Sequence, residues 1–519
     1  MAHPSAMLAA LCALAAPGGA EGPRMTVGRW GRFEVAVENR RRYADPYRDV
    51  TLAATFTRPD GRRVTFWGFH DGGATWRVRF LPDALGTWRY AARFSDGSPG
   101  ADGRFRCVRS DTPGMISADE ANPTWFGFRG GGRVLVRSFH VGDRFFASNW
   151  PAAKRGAFLD WAQKQGYNML SVASHYLNRA QRGRGAGWRT PDLWPLDAGE
   201  WRGMEAVLDD LARRRMMVYP FAGFFGQASD FPTKAADQEL YVRYALARLG
   251  PYWNVLFNVA GPEPLIKARA FRSAMGKGDV NRLGALIARL DPFAHLLSVH
   301  NPSGADPFRG QAWTSFVTLQ GGKGAEPAKV RAFVAASRTA GKPTYAQEVF
   351  WPGNKHHARL SDDDIRKKAY VLLLSGAAIN YADMNGNSSS GFSGSMELGE
   401  RIQRRHDIVK AVWDFFETLP FHEMAPRQDL VDRGTCLAKP PERYLVYLDG
   451  GGAVSVKLAG GTYAVEWINA RGTSDRRPSG TTSTGGALKA PDGGDWVLHL
   501  ARRRGSRADA EPARDKSRR

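Results

Sequence analysis

The sequence predicts an α/β fold: a (β/α)8 TIM barrel flanked by an N-terminal and a C-terminal β-sandwich domain. Three observations support this prediction. Short strands separated by turns run from residue 23 to 112, apolar strands alternate with amphipathic helices from about residue 130 to 418, and short strands return after residue 421. Eight strand–helix alternations in a segment of this length are typical of a (β/α)8 barrel.

The chain has 519 residues, which is too many for one ordinary hydrophobic core. Its 16 Trp, 28 Phe and 15 Tyr can fill large cores and leave rings for a binding surface. The expected divisions are a signal peptide (1–22), a β-sandwich (23–112), the barrel (113–420), a second β-sandwich (421–502) and a basic disordered tail (503–519).

Residues 5–20 form a short apolar run that ends in small residues. Such a run is typical of a secretory signal peptide, although no Lys or Arg precedes it here. We therefore expect a secreted or periplasmic protein. Removal of this segment takes Cys12 with it and leaves Cys107 and Cys436, too few for a disulfide framework. No other run approaches the roughly 18 apolar residues of a membrane span.

The chain is strongly basic, with 73 Lys and Arg against 51 Asp and Glu and a formal net charge of +22. Arg residues are spread along the whole chain and no nucleic-acid recognition motif is present, so we expect no nucleic-acid partner. Attraction to an acidic polysaccharide, or a nonspecific compositional bias, accounts for the charge instead.

Period-2 alternation of apolar residues, with turns at regular spacing, predicts antiparallel strands in both flanking segments. In the N-terminal segment the predicted strands are 51–57, 64–69, 75–80, 86–93 and 103–108. In the C-terminal segment they are 444–448, 453–458, 462–469 and 495–500.

Between these segments, short apolar runs predict buried parallel strands, and the amphipathic stretches that separate them predict the outer helices. The eight runs are 134–139, 168–172, 216–221, 253–259, 295–299, 315–319, 343–347 and 377–381. Residues 301–313, after the fifth run, lack a helical pattern and are predicted to form a loop.

Two glutamates fall at the C-terminal ends of such runs, Glu263 after the fourth and Glu348 after the seventh. A carboxylate is costly inside an apolar strand, so both are expected where strand becomes loop, lining one cleft. Two carboxylates that face one cleft are the minimum machinery for breaking a glycosidic bond. Pro262 and Pro264 flank Glu263 and would fix its backbone, and the aromatic residues around Glu348 would suit a sugar.

Residues 68–72, 76–83 and 86–90 resemble the immunoglobulin-like domain that precedes the apiosidase-like (β/α)8 glycoside hydrolases. The barrel is similar to that family. Segments 444–447 and 495–498 resemble the C-terminal β-domain that often follows it and is labelled collagen-binding. The resemblance covers nearly the whole chain between residues 25 and 502.

This resemblance implies a retaining glycoside hydrolase with its acid/base after the fourth strand and its nucleophile after the seventh. By position these are Glu263 and Glu348. In much of that clan an Asn directly precedes the acid/base glutamate, whereas here Pro262 stands there and the nearest Asn is Asn258. The departure weakens the assignment of Glu263 more than that of Glu348.

Further polar and aromatic residues near predicted strand ends could bind sugar hydroxyls or tune the glutamates. They are His140, His175, Asn258, His300, Asn301, Gln320, Trp351, Tyr381 and Asp383, of which Asp383 is the reserve carboxylate should Glu263 not serve.

We predict no metal and no cofactor. His356 and His357 are adjacent on a loop, and adjacent histidines rarely share one ion. The acidic run Asp362–Asp364 that follows suits the start of a helix instead.

Two other functions fit the same sequence. One is a non-catalytic carbohydrate-binding protein, in which Pro262 marks the loss of the acid/base. The other is a surface adhesion protein whose β-domains bind while the barrel serves as scaffold. Because one fold hosts many functions, fold similarity does not separate these alternatives. The sequence also leaves open the sugar, the linkage, and endo or exo cleavage.

Overall fold

The computed structural model of this chain describes residues 25–503 apart from several internal segments. Those left out are 142–144, 147–150, 173–197, 221–223, 226–230, 233, 262, 266–274, 301–303, 305, 323, 353–358 and 384–399. The predicted signal peptide, the tail from residue 504, His175, Asn301 and Pro262 therefore lie outside the described residues.

The N-terminal segment folds into one seven-stranded sheet in the order β1-β7-β6-β3-β4-β5-β2. The sheet curls until its two ends meet, because Phe33 of β2 stacks on Phe105 of β7 with 4.2 Å between ring centroids. The curled sheet thus encloses an aromatic core. Its strands are β1 (Met25–Gly28), β2 (Phe33–Glu38), β3 (Leu52–Thr57), β4 (Arg63–His70), β5 (Thr75–Phe80), β6 (Gly86–Phe94) and β7 (Ala101–Val108).

A small antiparallel sheet comes next, formed by β8 (Ile116–Ala118), β9 (Phe126–Phe128) and β10 (Gly132–Arg133). The amide of Ile116 donates to the carbonyl of Trp253, which lies just ahead of the fourth barrel strand. The indole of Trp125 donates to the carbonyl of Met424, which follows the last barrel helix. This sheet therefore lies at the end of the barrel where the strands begin.

Within the residues that the structure describes, eight parallel strands form the barrel. Ladders join β13-β12-β11-β18-β17-β16 in that order, and β14 pairs with β15. A bridge between Val218 and Val255 links the third strand to the fourth, and the amide of Ser315 donates to the carbonyl of Leu297 beside the sixth. The strands are β11 (Arg137–Val141), β12 (Met169–Val172), β13 (Met217–Tyr219), β14 (Phe257–Asn258), β15 (Leu297–Ser298), β16 (Val317–Gln320), β17 (Thr344–Phe350) and β18 (Ala377–Tyr381).

The predicted (β/α)8 barrel is thereby confirmed. Strand β14 is much shorter than the apolar run 253–259, because residues beside it pair only through isolated bridges at Val255 and Val259. Between β15 and β16 the described residues contain no helix, as the loop prediction for 301–313 requires. The helices are α1 (Ala152–Lys164), α2 (Ala198–Arg213), α3 (Ala235–Leu249), α4 (Lys277–Leu290), α5 (Pro327–Ser337), α6 (Asp362–Leu374) and α7 (Glu400–Glu417).

Helix α6 begins at Asp362, as the acidic run predicted. The side chain of Ser361 accepts a hydrogen bond from the amide of Asp364 at 3.1 Å, and the Asp364 carboxylate accepts one from the amide of Ser361 at 2.9 Å. This reciprocal cap satisfies backbone N–H groups that a helix start otherwise leaves without partners.

The C-terminal segment forms a six-stranded sheet, β19-β20-β21-β26-β23-β24, and a two-stranded one, β22-β25. Tyr447 stacks on Tyr370 of α6 with 5.0 Å between ring centroids, so one face packs on the barrel. The other face has its own core, which includes Trp467 and Trp496. The strands are β19 (Ala425–Pro426), β20 (Thr435–Lys439), β21 (Arg443–Leu448), β22 (Ala453–Val454), β23 (Tyr463–Asn469), β24 (Arg476–Thr482), β25 (Leu488–Lys489) and β26 (Trp496–Arg502).

Buried charges join the N-terminal sheet to α2 and α3, and we call Asp71, Arg79, Glu205 and Arg248 the interface charge cluster. Arg248 is completely buried and donates to Glu205 at 2.5 Å and to Asp71 at 3.0 Å. Arg79 also donates to Glu205, at 3.0 Å. Each buried charge therefore meets a charge of opposite sign across the domain interface.

None of the helices in the described part of the chain is both long and apolar enough to span a membrane.

Candidate active site

A polar triad lies at the C-terminal ends of the barrel strands, where the active sites of this fold are found. Gln320 is the last residue of β16, Glu348 lies in β17, and Glu263 follows β14. The side-chain amide nitrogen of Gln320 donates to Oε1 of Glu263 at 2.8 Å and to Oε2 of Glu348 at 2.7 Å. One neutral donor therefore holds two carboxyl groups that are far apart in the sequence.

These contacts fix the orientation of the Gln320 amide. If the amide were turned over, its carbonyl oxygen would point at two carboxylates, whereas its nitrogen can donate one hydrogen to each. The carbonyl oxygen of Gln320 is buried and accepts no hydrogen bond within the part of the chain that the structure describes.

The loop that carries Glu263 has an unusual backbone. Glu263 has φ = +46° and Ala260 has φ = +58°, in the left-handed region that residues other than glycine seldom adopt. The amide of Glu263 donates to the carbonyl of His300 at 2.8 Å, and the amide of Ala260 donates to that of Phe225 at 2.7 Å. Such backbone strain persists only where neighbouring contacts enforce it, and it is concentrated at functional sites.

His300, after β15, lies beside the second glutamate, with its Nε2 3.6 Å from Oε2 of Glu348. Burial lowers the pKa of His300 to about 3, although a hydrogen bond with Gln347 opposes this. The imidazole is therefore neutral near pH 7. Glu348 itself remains 19% exposed, so water and a ligand can reach it.

Asn258 forms hydrogen bonds that position neighbouring residues of the site. Its side-chain oxygen accepts hydrogen bonds from the amide of His300 at 2.8 Å and from the hydroxyl of Tyr219 at 3.1 Å. All three residues are buried. The residue predicted to bind substrate thus positions His300, whose carbonyl in turn holds the loop of Glu263.

His140 and Trp351 meet at the same end of the barrel. Their ring centroids are 4.3 Å apart, and Trp351 is almost completely buried. His140, predicted to follow the first strand, lies within β11 instead. The indole of Trp351 therefore packs on the imidazole of His140 at this end of the barrel.

Asp383, the reserve carboxylate, is engaged by α7. Arg405 donates to its Oδ2 at 3.1 Å, and Tyr381 donates to the same oxygen at 3.4 Å. Burial raises the pKa of Asp383, and the charge of Arg405 counteracts it. The backbone carbonyl of Asp383 also lies 2.7 Å from Nε2 of His406. These contacts tie Asp383 to α7.

The sequence analysis did not single out Arg405 or Lys368, which both lie close to the site. Lys368 is completely buried in α6, and its ammonium donates to the carbonyls of Gly322 and Val349. A signal existed, because Lys368 continues the i, i+3, i+4, i+7 pattern of Ile365, Ala369 and Leu372. In the residues that the structure describes, no cluster of His, Cys, Asp or Glu could hold a metal ion.

A (β/α)8 barrel that brings two glutamates together at the ends of its fourth and seventh strands has the architecture of a glycoside hydrolase. Comparison with known families identifies residues 145–381 as "Apiosidase-like, catalytic domain". Residues 26–95 match a domain of unknown function, DUF5060. The chain therefore carries an apiosidase-like catalytic domain and is a glycoside hydrolase, as its resemblance implied.

Solved structures share the fold. A proposed glycoside hydrolase from Bacteroides vulgatus has a TM-score of 0.70 and 19% identity, and the match covers 92% of this chain and 100% of that one. A glycoside hydrolase family 5 protein from the same species has a TM-score of 0.57 and 17% identity, covering 75% and 93%. At these identities the likeness establishes the fold. None of the curated proteins compared with the chain matches it.

Proposed function

We propose that this chain is a retaining glycoside hydrolase that uses Glu348 as nucleophile and Glu263 as acid/base. The observation that carries the proposal is the Gln320 amide, whose nitrogen donates to both carboxyl groups at 2.8 and 2.7 Å. The two bonded oxygens are therefore no more than about 5.5 Å apart, the sum of these distances. Retaining enzymes place their carboxyl groups about 5–5.5 Å apart, and inverting enzymes about 6.5–9.5 Å.

The surroundings of the two glutamates support different roles. Glu348 lies within a barrel strand and accepts from Gln320, so its oxygen is held in a fixed direction, as attack on an anomeric carbon requires. Glu263 lies on a loop outside the strand, with its backbone fixed through His300. A carboxyl group there can donate a proton to the leaving oxygen and later take one from water.

Gln320 serves both steps. A neutral amide shared between two carboxyl groups can bond either one in its ionised form, so it does not lock the protonation state of the pair. When Glu348 becomes a glycosyl ester and Glu263 loses its proton, the same donor can follow the negative charge to Glu263.

The substrate in this proposal is a polysaccharide or oligosaccharide. The net charge of +22 makes glycans that contain acidic sugars the first to test. The apolar run at residues 5–20 supports export, so the substrate would be met outside the cytoplasm.

The experiment is a screen of the purified full-length protein against plant and microbial polysaccharides, with proton NMR of the first anomer released. We expect release with retained configuration, lost in both Glu348→Gln and Glu263→Gln. With an aryl glycoside whose leaving group needs no acid, Glu263→Gln should still release the phenol, whereas Glu348→Gln should not. An inverted first product, or full turnover by Glu348→Gln, contradicts the proposal. Glycan binding without release would favour the non-catalytic alternative.

A further inference from the structure

Lys368 is a completely buried lysine behind the two strands that carry Gln320 and Glu348. Its Nζ donates to the carbonyl of Val349 at 2.6 Å and to that of Gly322 at 2.8 Å. Val349 directly follows Glu348, and Gly322 is two residues beyond Gln320. Lys368 therefore forms a hydrogen bond to each of the two strands, close to Gln320 and Glu348.

The ladder between β16 and β17 is irregular at this point. Its register shifts between Thr318 and Gln320, and the amide of Gly321 makes a longer bond of 3.2 Å to the carbonyl of Glu348. The described ladder between the two strands ends at this bond, and the carbonyls beyond it need another donor. The ammonium group of Lys368 supplies a donor to one carbonyl on each strand.

Packing alone gives little reason for a lysine here. Lys368 lies on the apolar face of α6 between Ile365 and Ala369, with Nζ 5.6 Å from the centroid of the Phe350 ring. Among the described residues it forms no ion pair, and burial lowers its pKa to about 7. A methionine would fill a similar volume without the cost of burying a polar amine. The contact that only the lysine provides is the bridge between the two strand ends.

We propose that Lys368 is a positioning residue that holds the ends of β16 and β17 together and so keeps Gln320 within bonding distance of Glu348. This inference rests on the proposed function of Glu348. If the bridge is lost, the two strand ends can separate. A displacement of about 1 Å at a reacting group can lower turnover about 100-fold.

The test compares Lys368→Met with Lys367→Met. Lys367 precedes Lys368 on the same helix, but its ammonium lies 4.0 Å from the carboxylate of Asp495, the residue before β26 in the C-terminal domain. In Lys368→Met we expect kcat to fall about 10-fold or more and KM to change less than about threefold, because substrate contacts remain. In Lys367→Met both constants should stay within about twofold. Lys368→Arg, which keeps charge and donors, should recover part of the lost kcat.

A crystal structure of each variant gives a readout that does not depend on activity. In Lys368→Met we expect the distance from Nε2 of Gln320 to Oε2 of Glu348 to lengthen beyond hydrogen-bonding range, and in Lys367→Met to stay as in the wild type. An unchanged distance or an unchanged kcat in Lys368→Met overturns the inference. If Lys368→Met does not fold, the same two measurements on Lys368→Gln decide, because the shorter glutamine side chain cannot reach both carbonyls, and wild-type values in both overturn the inference.

If the wild-type protein hydrolyses no glycan, the proposed function fails. The crystallographic distance still tests the role of Lys368.

Discussion

Two pairs of acidic residues in this molecule are held in opposite ways. In the interface charge cluster, Glu205 accepts from Arg79 and Arg248, and Asp71 accepts from Arg248. At the strand ends, Glu263 and Glu348 share the neutral amide of Gln320. The first pair meets fixed positive charge, and the second meets a donor with no net charge.

The kind of hydrogen-bond donor around each pair indicates whether its carboxyl groups serve stability or catalysis. Burial would raise the pKa of Asp71, but the guanidinium groups of Arg77 and Arg248 lower it overall, so this carboxylate keeps its negative charge, which suits a contact between domains. An acid/base catalyst must gain and lose its proton within each turnover, so a permanent countercharge would work against it. Substitutions in the cluster should therefore change stability, and substitutions among Gln320, Glu263 and Glu348 should change turnover.

The largest effect should come from the site. Glu348→Gln preserves size and removes the nucleophile, so we expect kcat to fall about 10³-fold or more. The melting temperature should change little, because Glu348 is still partly exposed and is bound by a neutral amide. Initial rates and thermal melts measure both quantities. The control is Glu326→Gln, an exposed residue paired with Lys329. If Glu348→Gln lost its activity only because it unfolded, the assignment of Glu348 to turnover rather than to stability would be wrong.

The interface cluster should give the largest effect on stability. Glu205→Gln removes a carboxylate that Arg79 and Arg248 share and leaves them with Glu34 and Asp71 as their remaining partners. We therefore expect a cost of about 3 kcal/mol, the lower end of the range for breaking a buried ion pair. Denaturant unfolding measures the loss, and kcat of the folded fraction should stay within about twofold. Glu239→Gln is the matched control, because Glu239 forms an i,i+4 pair with Arg243 and both are about one-third exposed. Loss of kcat without loss of stability in Glu205→Gln would overturn the division of roles.

Strand counting was enough to bring the site together. In a parallel barrel the C-terminal ends of all strands face one side. The apolar runs that precede Glu263, Gln320 and Glu348 therefore predict one shared face for these residues despite their separation in sequence. The roles assigned to the two glutamates, and the domain bounds, stay predictions.

Side-chain direction could not be predicted in the same way. Asp383 falls near the end of β18 just as Glu348 falls near that of β17, but Asp383 bonds to Arg405 of α7. Arg405 lies 22 residues further along the chain, and no local pattern links the two. Lys368 was missed although a local pattern was present. An apolar stripe along a helix indicates packing, and the single lysine within that stripe was not considered separately.

A smaller change in turnover should follow removal of the shared donor. Gln320→Leu removes both hydrogen bonds and keeps a similar side-chain volume. The two carboxyl groups then no longer share a donor that fixes their positions relative to each other. We expect kcat to fall about 10- to 100-fold, less than for loss of a glutamate. Gln428→Leu is the control, because Gln428 donates to the carbonyl of Gly434 in the C-terminal domain, away from the site. An unchanged kcat in Gln320→Leu would mean that the barrel alone fixes the glutamates.

The smallest effect concerns pH and involves one histidine at the site and one in α7. Burial lowers the pKa of His300 at the site to about 3 and that of His406 in α7 to about 4. In the unfolded chain both histidines have a pKa near 6.5 and bind protons first as the pH falls. Their contribution to stability is therefore fully present above pH 6.5 and is lost as the pH drops toward 3 or 4.

Between pH 7 and 5.5 each of these histidines should cost about 1 kcal/mol of folding stability, in a window where most carboxylates do not yet titrate. In His300→Asn the wild-type decline over this range should become shallower by about that amount, because one group that titrates on unfolding is gone. Urea unfolding at both pH values measures it. Asparagine keeps a polar side chain at this buried position, whereas an apolar replacement would remove every hydrogen-bonding group of the imidazole. An equal decline in both proteins would mean that His300 takes up a proton in the folded state, and its contact with Glu348 would then be an ion pair.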